Sequence, residues 1–292
     1  MPKNSLLVLS VAILAAALAV CVRLIIKNRR IPAPADSSAI GTDTAAKAEA
    51  EAASASSELE GAFKKHHLEY ERLDTGLSAQ QFLDLYLAEA EKGRAEGYTP
   101  VFISTSSPAN IVFMLGEYDT DELLASELPD GKALIDKYIR DAFDPELDIS
   151  DPEELRDDAA VGETIKRFSS LEASPFTGRV WDVYLVKAPA AEPWKAVLYI
   201  PFGGWNNCPE PLEMAAICKY WYEKFGAAPA VITGDELEFY LPSPVPAEEA
   251  WQTAIEHFAF CEDRLFQCTN TGTLSEIEDS IKRSNIWFFW WD

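Results

Sequence analysis

The chain closes on "NIWFFWWD" (Asn285–Asp292), its most apolar stretch, with five aromatic residues among the last six. In an extended backbone successive side chains alternate sides. Trp287, Phe289 and Trp291 then point one way, Phe288 and Trp290 the other. Both faces are apolar, so both need cover. A strand covered on both faces is expected inside a sheet flanked by helices. The tail therefore predicts an α+β fold, a mixed sheet with helices around it, in which the C-terminus is an interior strand. Each ring buries roughly 150–250 Å². Asp292 would sit at the rim, where both of its carboxylates reach water or a donor. An aromatic binding platform is the competing reading, and it is weaker because aromatic strands are usually core.

Working back from the tail, "TLSEIEDSIKRS" reads as a helix opened by a Thr273–Glu276 capping box. Pro246 opens an earlier helix, with Glu248 and Glu249 in its first turn, where the helix dipole favours acids. "PAVIT" and "LEFYL" flank the turn residues Gly234 and Asp235 and predict a strand pair. "EPLEMAAICKYWYEKFG" places Met214, Ile217, Cys218, Trp221 and Phe225 at helical spacing and ends at Gly226. "RVWDVYLVKA" and "WKAVLYIPFGG" (194–204) read as a hairpin. All eight tryptophans lie at or after Trp181. That shift marks a C-terminal domain, 177–292.

The preceding region, 63–176, opens with "SAQQFLDLYLAEAEKGRAEG", a helix with a Ser78–Gln81 capping box and Gly97 at its end. "PVFIS" (100–104) and "IVFML" (111–115) read as strands, and Ile135, Tyr138, Ile139 and Ala142 as one helix face. From Glu117 to Glu163 the chain carries 17 acids against four bases. "DPELDISDPEEL" lacks the glycine and acid spacing of a calcium loop, so it reads as a solvated acidic loop.

Before residue 63 the composition changes twice. Residues 31–62 are Ala-, Ser-, Pro- and Glu-rich, a linker that cannot bury a core of its own. Residues 1–30 hold five bases and no acid. Leu6 to Val22 carry no charge, and with Arg23 snorkelling the apolar run reaches Ile26. That length crosses a bilayer core of about 30 Å. The segment predicts an uncleaved single-pass transmembrane helix, residues 6–26. A cleaved signal peptide ending at Ala17-Leu18-Ala19 fits less well, because bases follow so soon. A lipoprotein reading at Cys21 meets a bulky Val20. Arg23, Lys27, Arg29 and Arg30 follow the span against Lys3 before it, a bias that places the body in the cytoplasm. The opposite orientation is the alternative.

The remainder of the chain holds 20 Lys and Arg against 48 Asp and Glu, a net of −28. Such a body repels nucleic acid and anionic head groups and attracts cations or a basic protein. Solubility alone also explains a charge of this kind. The four cysteines of the body, Cys208, Cys218, Cys261 and Cys268, form no CxxC pair. Buried free thiols are expected rather than a zinc ribbon, and no cofactor is implied.

"YWYEKFGA" (220–227), "EHFAFCED" (256–263) and the closing "WFFWWD", in that order, resemble the bacterial domain-of-unknown-function family 4253. The similarity covers about Val183 to Asp292, and "AEGYTPVFIS" (95–104) resembles a segment found ahead of that domain. The family has no established activity, so the resemblance implies a fold and a bacterial origin. Many members are expected to carry a His/Asn-rich segment where this chain has "WNNCPEP".

The reactive side chains concentrate in two places. In "EHFAFCED", Glu256, His257, Cys261 and Asp263 gather near one helix end. His257 and Cys261 are four residues apart, a spacing able to clamp a metal or pair a thiol with a base. A buried histidine and a packed cysteine is the plainer reading. "FGGWNNC" has two glycines that free the backbone, and it presents Trp205, Asn206 and Asn207. It lacks the Gly-Lys-Ser/Thr of a phosphate-binding loop. A site, if the domain has one, is expected where this loop meets the His257 helix end. The favoured function is a non-catalytic, immunity-like binding module with an acidic surface. The alternative is a hydrolase or metal-dependent enzyme built on Trp205, Asn207, His257 and Cys261. Oligomeric state is not legible.

Overall fold

A computed structural model describes residues 54, 56–73, 76–106, 108–172 and 181–292. The predicted membrane span and most of the linker lie outside the described residues. Residues from 51 onward belong to one compact unit.

One six-stranded mixed sheet organises this unit. The strands are β1 (Glu69–Arg72), β2 (Thr99–Ser104), β3 (Val183–Ala188), β4 (Ala228–Ile232), β5 (Glu236–Tyr240) and β6 (Ile286–Trp290). Their order across the sheet is β1-β3-β2-β4-β5-β6. Only β2 and β4 run parallel; the other four pairings are antiparallel. The sheet thus draws β1 and β2 from the first half of the chain and the rest from the second.

The helices are α1 (Ala79–Glu96), α2 (Pro108–Glu117), α3 (Thr120–Ala125), α4 (Gly131–Ala142), α5 (Ala196–Tyr199), α6 (Pro211–Phe225), α7 (Ala247–Phe260), α8 (Asp263–Phe266) and α9 (Leu274–Ile281). They cover both sheet faces. On the larger side Val101, Ile103, Tyr184, Val186, Leu237, Phe239, Trp287 and Phe289 join the inner faces of α2, α4, α6, α7 and α9 in one core. On the smaller side Phe102, Val183 and Leu185 meet Phe82 and Tyr86 of α1, with Phe168 and Leu171 beside them. The alternation breaks at β4, where Ala230 and Val231 share the smaller core, because the register shifts between Pro229 and Val231. Such a bulge turns two successive side chains to one face.

Local signals place several elements where expected. Ser78 and Gln81 form the reciprocal capping box of α1, which ends on Gly97 in the left-handed conformation, as α6 ends on Gly226. Thr233 anchors the β4–β5 turn by accepting from the Asp235 and Glu236 N–H groups. Thr273 accepts from the Glu276 N–H, but the Glu276 carboxylate turns instead to the Asn270 and Thr271 N–H groups. Only half of that predicted box therefore forms. The acidic loop does not simply float. The N–H groups of Asp157 and Ile165 donate to Ser275 and Ser284 in and after α9, and the Arg156 guanidinium lies 3.6 Å from the Trp251 ring centroid.

Three expectations are corrected. First, "IVFML" is not a strand: Ile111, Met114 and Leu115 form the buried stripe of α2, at the i, i+3, i+4 spacing of a helix. Second, "WKAVLYIPFGG" is not a hairpin strand. Pro193 starts a 3-10 turn, Pro193–Lys195, that runs into α5, and Trp194, Val197, Leu198 and Ile200 enter the core. A short apolar run reads equally as a strand or a buried helical turn. Third, the aromatic tail is an edge strand, not an interior one: β6 pairs with β5 alone. Trp287, Phe289 and Trp291 are fully covered by the larger core, while Phe288 and Trp290 are half-buried on the other side. Two-faced apolarity reports layers above and below a strand; it says nothing about hydrogen-bonded neighbours to left and right. The free edge is shielded, as edges need to be. The Cys261 thiol donates to the Trp290 carbonyl at 3.1 Å, and Asp263 accepts from the Asp292 N–H at 3.1 Å.

Candidate functional site

The loop after α5 is built around Gly203. Its φ is +114°, and a Cβ there would stand 1.9 Å from the Pro209 carbonyl oxygen, so only glycine fits. The Gly204 N–H donates to the Pro209 carbonyl at 3.0 Å and the Cys208 N–H to the Trp205 carbonyl at 2.8 Å, closing the loop on itself. Phe202 anchors it from beneath, against Trp205 at 4.9 Å and Trp291 at 5.6 Å between centroids. Asn206, with φ +47°, stands at the tip. Its amide donates to the Asp292 backbone carbonyl, and the Asn207 amide donates to the Glu262 carboxylate. The loop thus meets the end of α7 and the C-terminus.

Between this loop, α4 and the end of α7 lies a cleft of about 520 Å³, within the range of small-ligand sites. Asn206 and Asn207 line it, together with Tyr138, Phe258 and Leu147. Asp141, Glu210, Glu213 and Glu262 also line it, with no lysine or arginine among the lining residues. Asp141 is paired with Lys137 at 2.7 Å. The other three carboxylates meet neutral donors: Glu210 accepts from the Tyr118 hydroxyl at 3.0 Å, Glu213 from the Tyr138 hydroxyl at 2.9 Å, and Glu262 from Asn207. Glu210 and Glu213 stand at the start of α6, where the helix dipole favours negative charge. Three carboxylates therefore face one cleft without a cation among the described residues.

The His257 group sits elsewhere, inside the core. Glu256, His257 and Cys261 are all buried. Glu256 accepts from the Tyr220 hydroxyl and the Trp221 indole N–H, both at 3.0 Å, with the Lys224 ammonium at 3.8 Å. The His257 ring lies among Trp221, Trp287 and Phe289, and neither nitrogen has a hydrogen-bond partner. Burial, reinforced by the nearby Arg264 charge, holds its pKa well below the usual imidazole value. Burial likewise pushes the Cys261 thiol up to about 12, against the pull of its backbone hydrogen bonds. A protonated thiol and a neutral, unpartnered imidazole are poor material for nucleophilic attack, which needs the thiolate. Among the described residues, no group of three or more His, Cys, Asp or Glu side chains could hold a metal ion. Asp263 stays near the surface and holds the C-terminal N–H.

The structure thus brings Asn206, Asn207 and the end of α7 together at one cleft, with Trp205 behind the loop, and leaves Glu256 and His257 in the core. Sequence reasoning missed Tyr138, Glu210, Glu213 and Glu262. The one available signal was the pair of acids flanking Pro211, Glu210 one position before it and Glu213 two after, which reads equally as a helix start.

Residues 184–292 match the sequence model of a family described as a domain of unknown function, DUF4253. The match begins in β3 and spans β4 to β6 with α5 to α9, so it includes the loop and the α7 side of the cleft but not the wall that α4 and Leu147 supply. No curated protein and no solved structure matches the chain.

Proposed function

We propose that this protein is a non-catalytic, immunity-like binding module, tethered to the membrane by residues 6–26, whose acidic cleft takes a basic segment of a protein partner. The observation that carries this reading is the set of Glu210, Glu213 and Glu262, three carboxylates facing one cleft with only neutral donors on them. In a partly desolvated cleft, a lysine or arginine side chain gains from such a set far more than at an open surface. The acidic body steers a basic partner toward it and repels nucleic acid. Leu147, exposed at the cleft, and Phe258 within it offer apolar contact for the stem of a long basic side chain.

The apolar run Leu6–Ile26 and the bases after it support a single-pass anchor with the body on the cytoplasmic side. None of the described helices is long and apolar enough to cross a membrane, so the tether rests on that run alone. A cysteine introduced at Ser37 should resist a membrane-impermeant label in intact cells and react after permeabilisation. Labelling from outside would reverse the orientation.

The binding role is tested by pull-down from membranes with the full-length chain at varied salt. The expected result is capture of one basic protein that is lost on raising salt and on Glu262→Lys. Stoichiometric metal that is lost on His257→Ala, or capture indifferent to both salt and Glu262→Lys, would overturn it.

A further inference from the structure

A second cleft lies at the other end of the sheet. The acidic cleft adjoins the C-terminal end of β6, which faces the start of β5. The second adjoins Tyr240, at the end of β5. It holds about 660 Å³ and shares no lining residue with the first. Its walls come from α1, the start of β2 and the end of α6.

Its chemistry is the reverse of the acidic cleft. Tyr86 of α1 is only 2% exposed, and among the described residues its hydroxyl makes no hydrogen bond. The hydroxyl is not among the buried side-chain atoms that lack a partner, so the small surface Tyr86 keeps includes it, open to water or a ligand. Tyr222 and Tyr240 line the same cleft, and among the described residues their hydroxyls also make no hydrogen bond. The Tyr86 and Tyr240 rings lie 5.5 Å apart. Arg94, two turns along α1 from Tyr86, is exposed, is the one base in the lining and forms no ion pair among the described residues. Burial raises the Tyr86 pKa, Tyr240 and Tyr222 add to the rise, and Arg94 opposes it. Three hydroxyl donors and one guanidinium thus line a space walled by aromatic rings, with nothing among the described residues for them to donate to.

Glu91 and Glu223 also line this cleft, both exposed, and Glu223 lies 3.9 Å from Lys219. The lining thus carries two exposed acids against one exposed base, so a second negative charge on a ligand is penalised.

We propose that this cleft binds a small organic acid with a flat aromatic body and a single carboxylate. Arg94 takes the carboxylate in a charge-assisted, two-point contact. Tyr86, Tyr222 and Tyr240 donate to its remaining lone pairs. The tyrosine rings pack the aromatic body edge to face. The site is independent of the acidic cleft and of the membrane tether.

The test is calorimetric titration of the full-length chain with naphthoate, its neutral analogue naphthamide, and a naphthalene dicarboxylate. Naphthoate is expected to bind, with the amide and the dicarboxylate each about tenfold weaker. Arg94→Gln and Tyr86→Phe should each weaken naphthoate about fivefold or more. Tyr86→Phe should melt no lower than the parent, because the hydroxyl it removes has no partner among the described residues. Absence of naphthoate binding at millimolar concentration, equal affinity for acid and amide, or full affinity in both variants would each overturn the proposal.

Discussion

The imidazole of His257 packs against the indole of Trp287, with 4.4 Å between ring centroids and 75° between planes, and neither imidazole nitrogen has a hydrogen-bond partner. This contact fastens α7 to the terminal strand. Trp221 completes the arrangement, 5.4 Å from both rings and stacked on Phe289 at 5.7 Å. The histidine that the sequence offers as a reactive group is thus a packing group that happens to titrate.

Replacing it follows directly. His257→Met keeps the volume and removes two unsatisfied polar atoms, so at neutral pH the variant should be as stable as the parent or more so. The pH dependence has a definite sign. The folded-state pKa lies well below the ordinary value of 6.5. The stability this group allows is therefore complete above about 6.5 and is lost as pH falls, by up to about 1.4 kcal/mol per unit. Urea melts of both chains at neutral and mildly acidic pH should show the methionine variant gaining on the parent as pH drops. A variant that unfolds at neutral pH would mean that His257 makes a contact not accounted for.

Glu238 titrates with the opposite sign. It is buried in β5 and accepts from the N–H and hydroxyl groups of Ser169 and Ser170, the shortest at 2.5 Å. Burial pushes its carboxyl up to about 7, although those donors pull the other way. A folded-state pKa above the unfolded one gives stability that is full below about 4.5 and lost as pH rises through about 7. Glu238→Gln removes that titration. Its stability relative to the parent should therefore rise between pH about 5 and pH about 8, read from melts across that window. A difference that stays constant with pH would contradict the assignment.

Deleting Ile286–Asp292 strips Trp287, Phe289 and Trp291 from the core and opens the edge of β5. An unpaired apolar edge aggregates. Trp287→Ala alone should cost about 3–5 kcal/mol, set against a typical stability of about 5–15 kcal/mol. The deleted chain is expected to be insoluble or unfolded by solubility assay and circular dichroism. A soluble deletion with an unchanged cooperative melt would remove β6 from any structural role.

What the sequence made legible was local. The Ser78 cap, the Gly97 and Gly226 stops and the turn at Thr233–Asp235 each depend on a few adjacent residues, and each is where the residues put it. The runs at 111–115 and 194–200 were not legible, because four to seven apolar residues carry no period long enough to separate strand from helix. The place of β6 at the sheet edge depends on non-local pairing. The meeting of the loop with the end of α7 was legible, but the charge of the cleft was not, because α4, the loop before α6 and the end of α7 contribute to it from positions spread over more than a hundred residues.

The central claim is that the charge of this cleft, and not the reactive-looking His257 and Cys261, carries the function. It is tested most directly by calorimetric titration of the full-length chain with a lysine-rich peptide at low and high salt, beside a Glu210→Gln, Glu213→Gln, Glu262→Gln triple variant. Glutamine keeps the shape of all three side chains and removes their charge. The parent should bind at low salt and weaken steeply as salt rises, while the triple variant should bind about tenfold or more weaker with a flatter salt dependence. Equal affinity and equal salt dependence for parent and variant, or no binding by the parent at low salt, would contradict it.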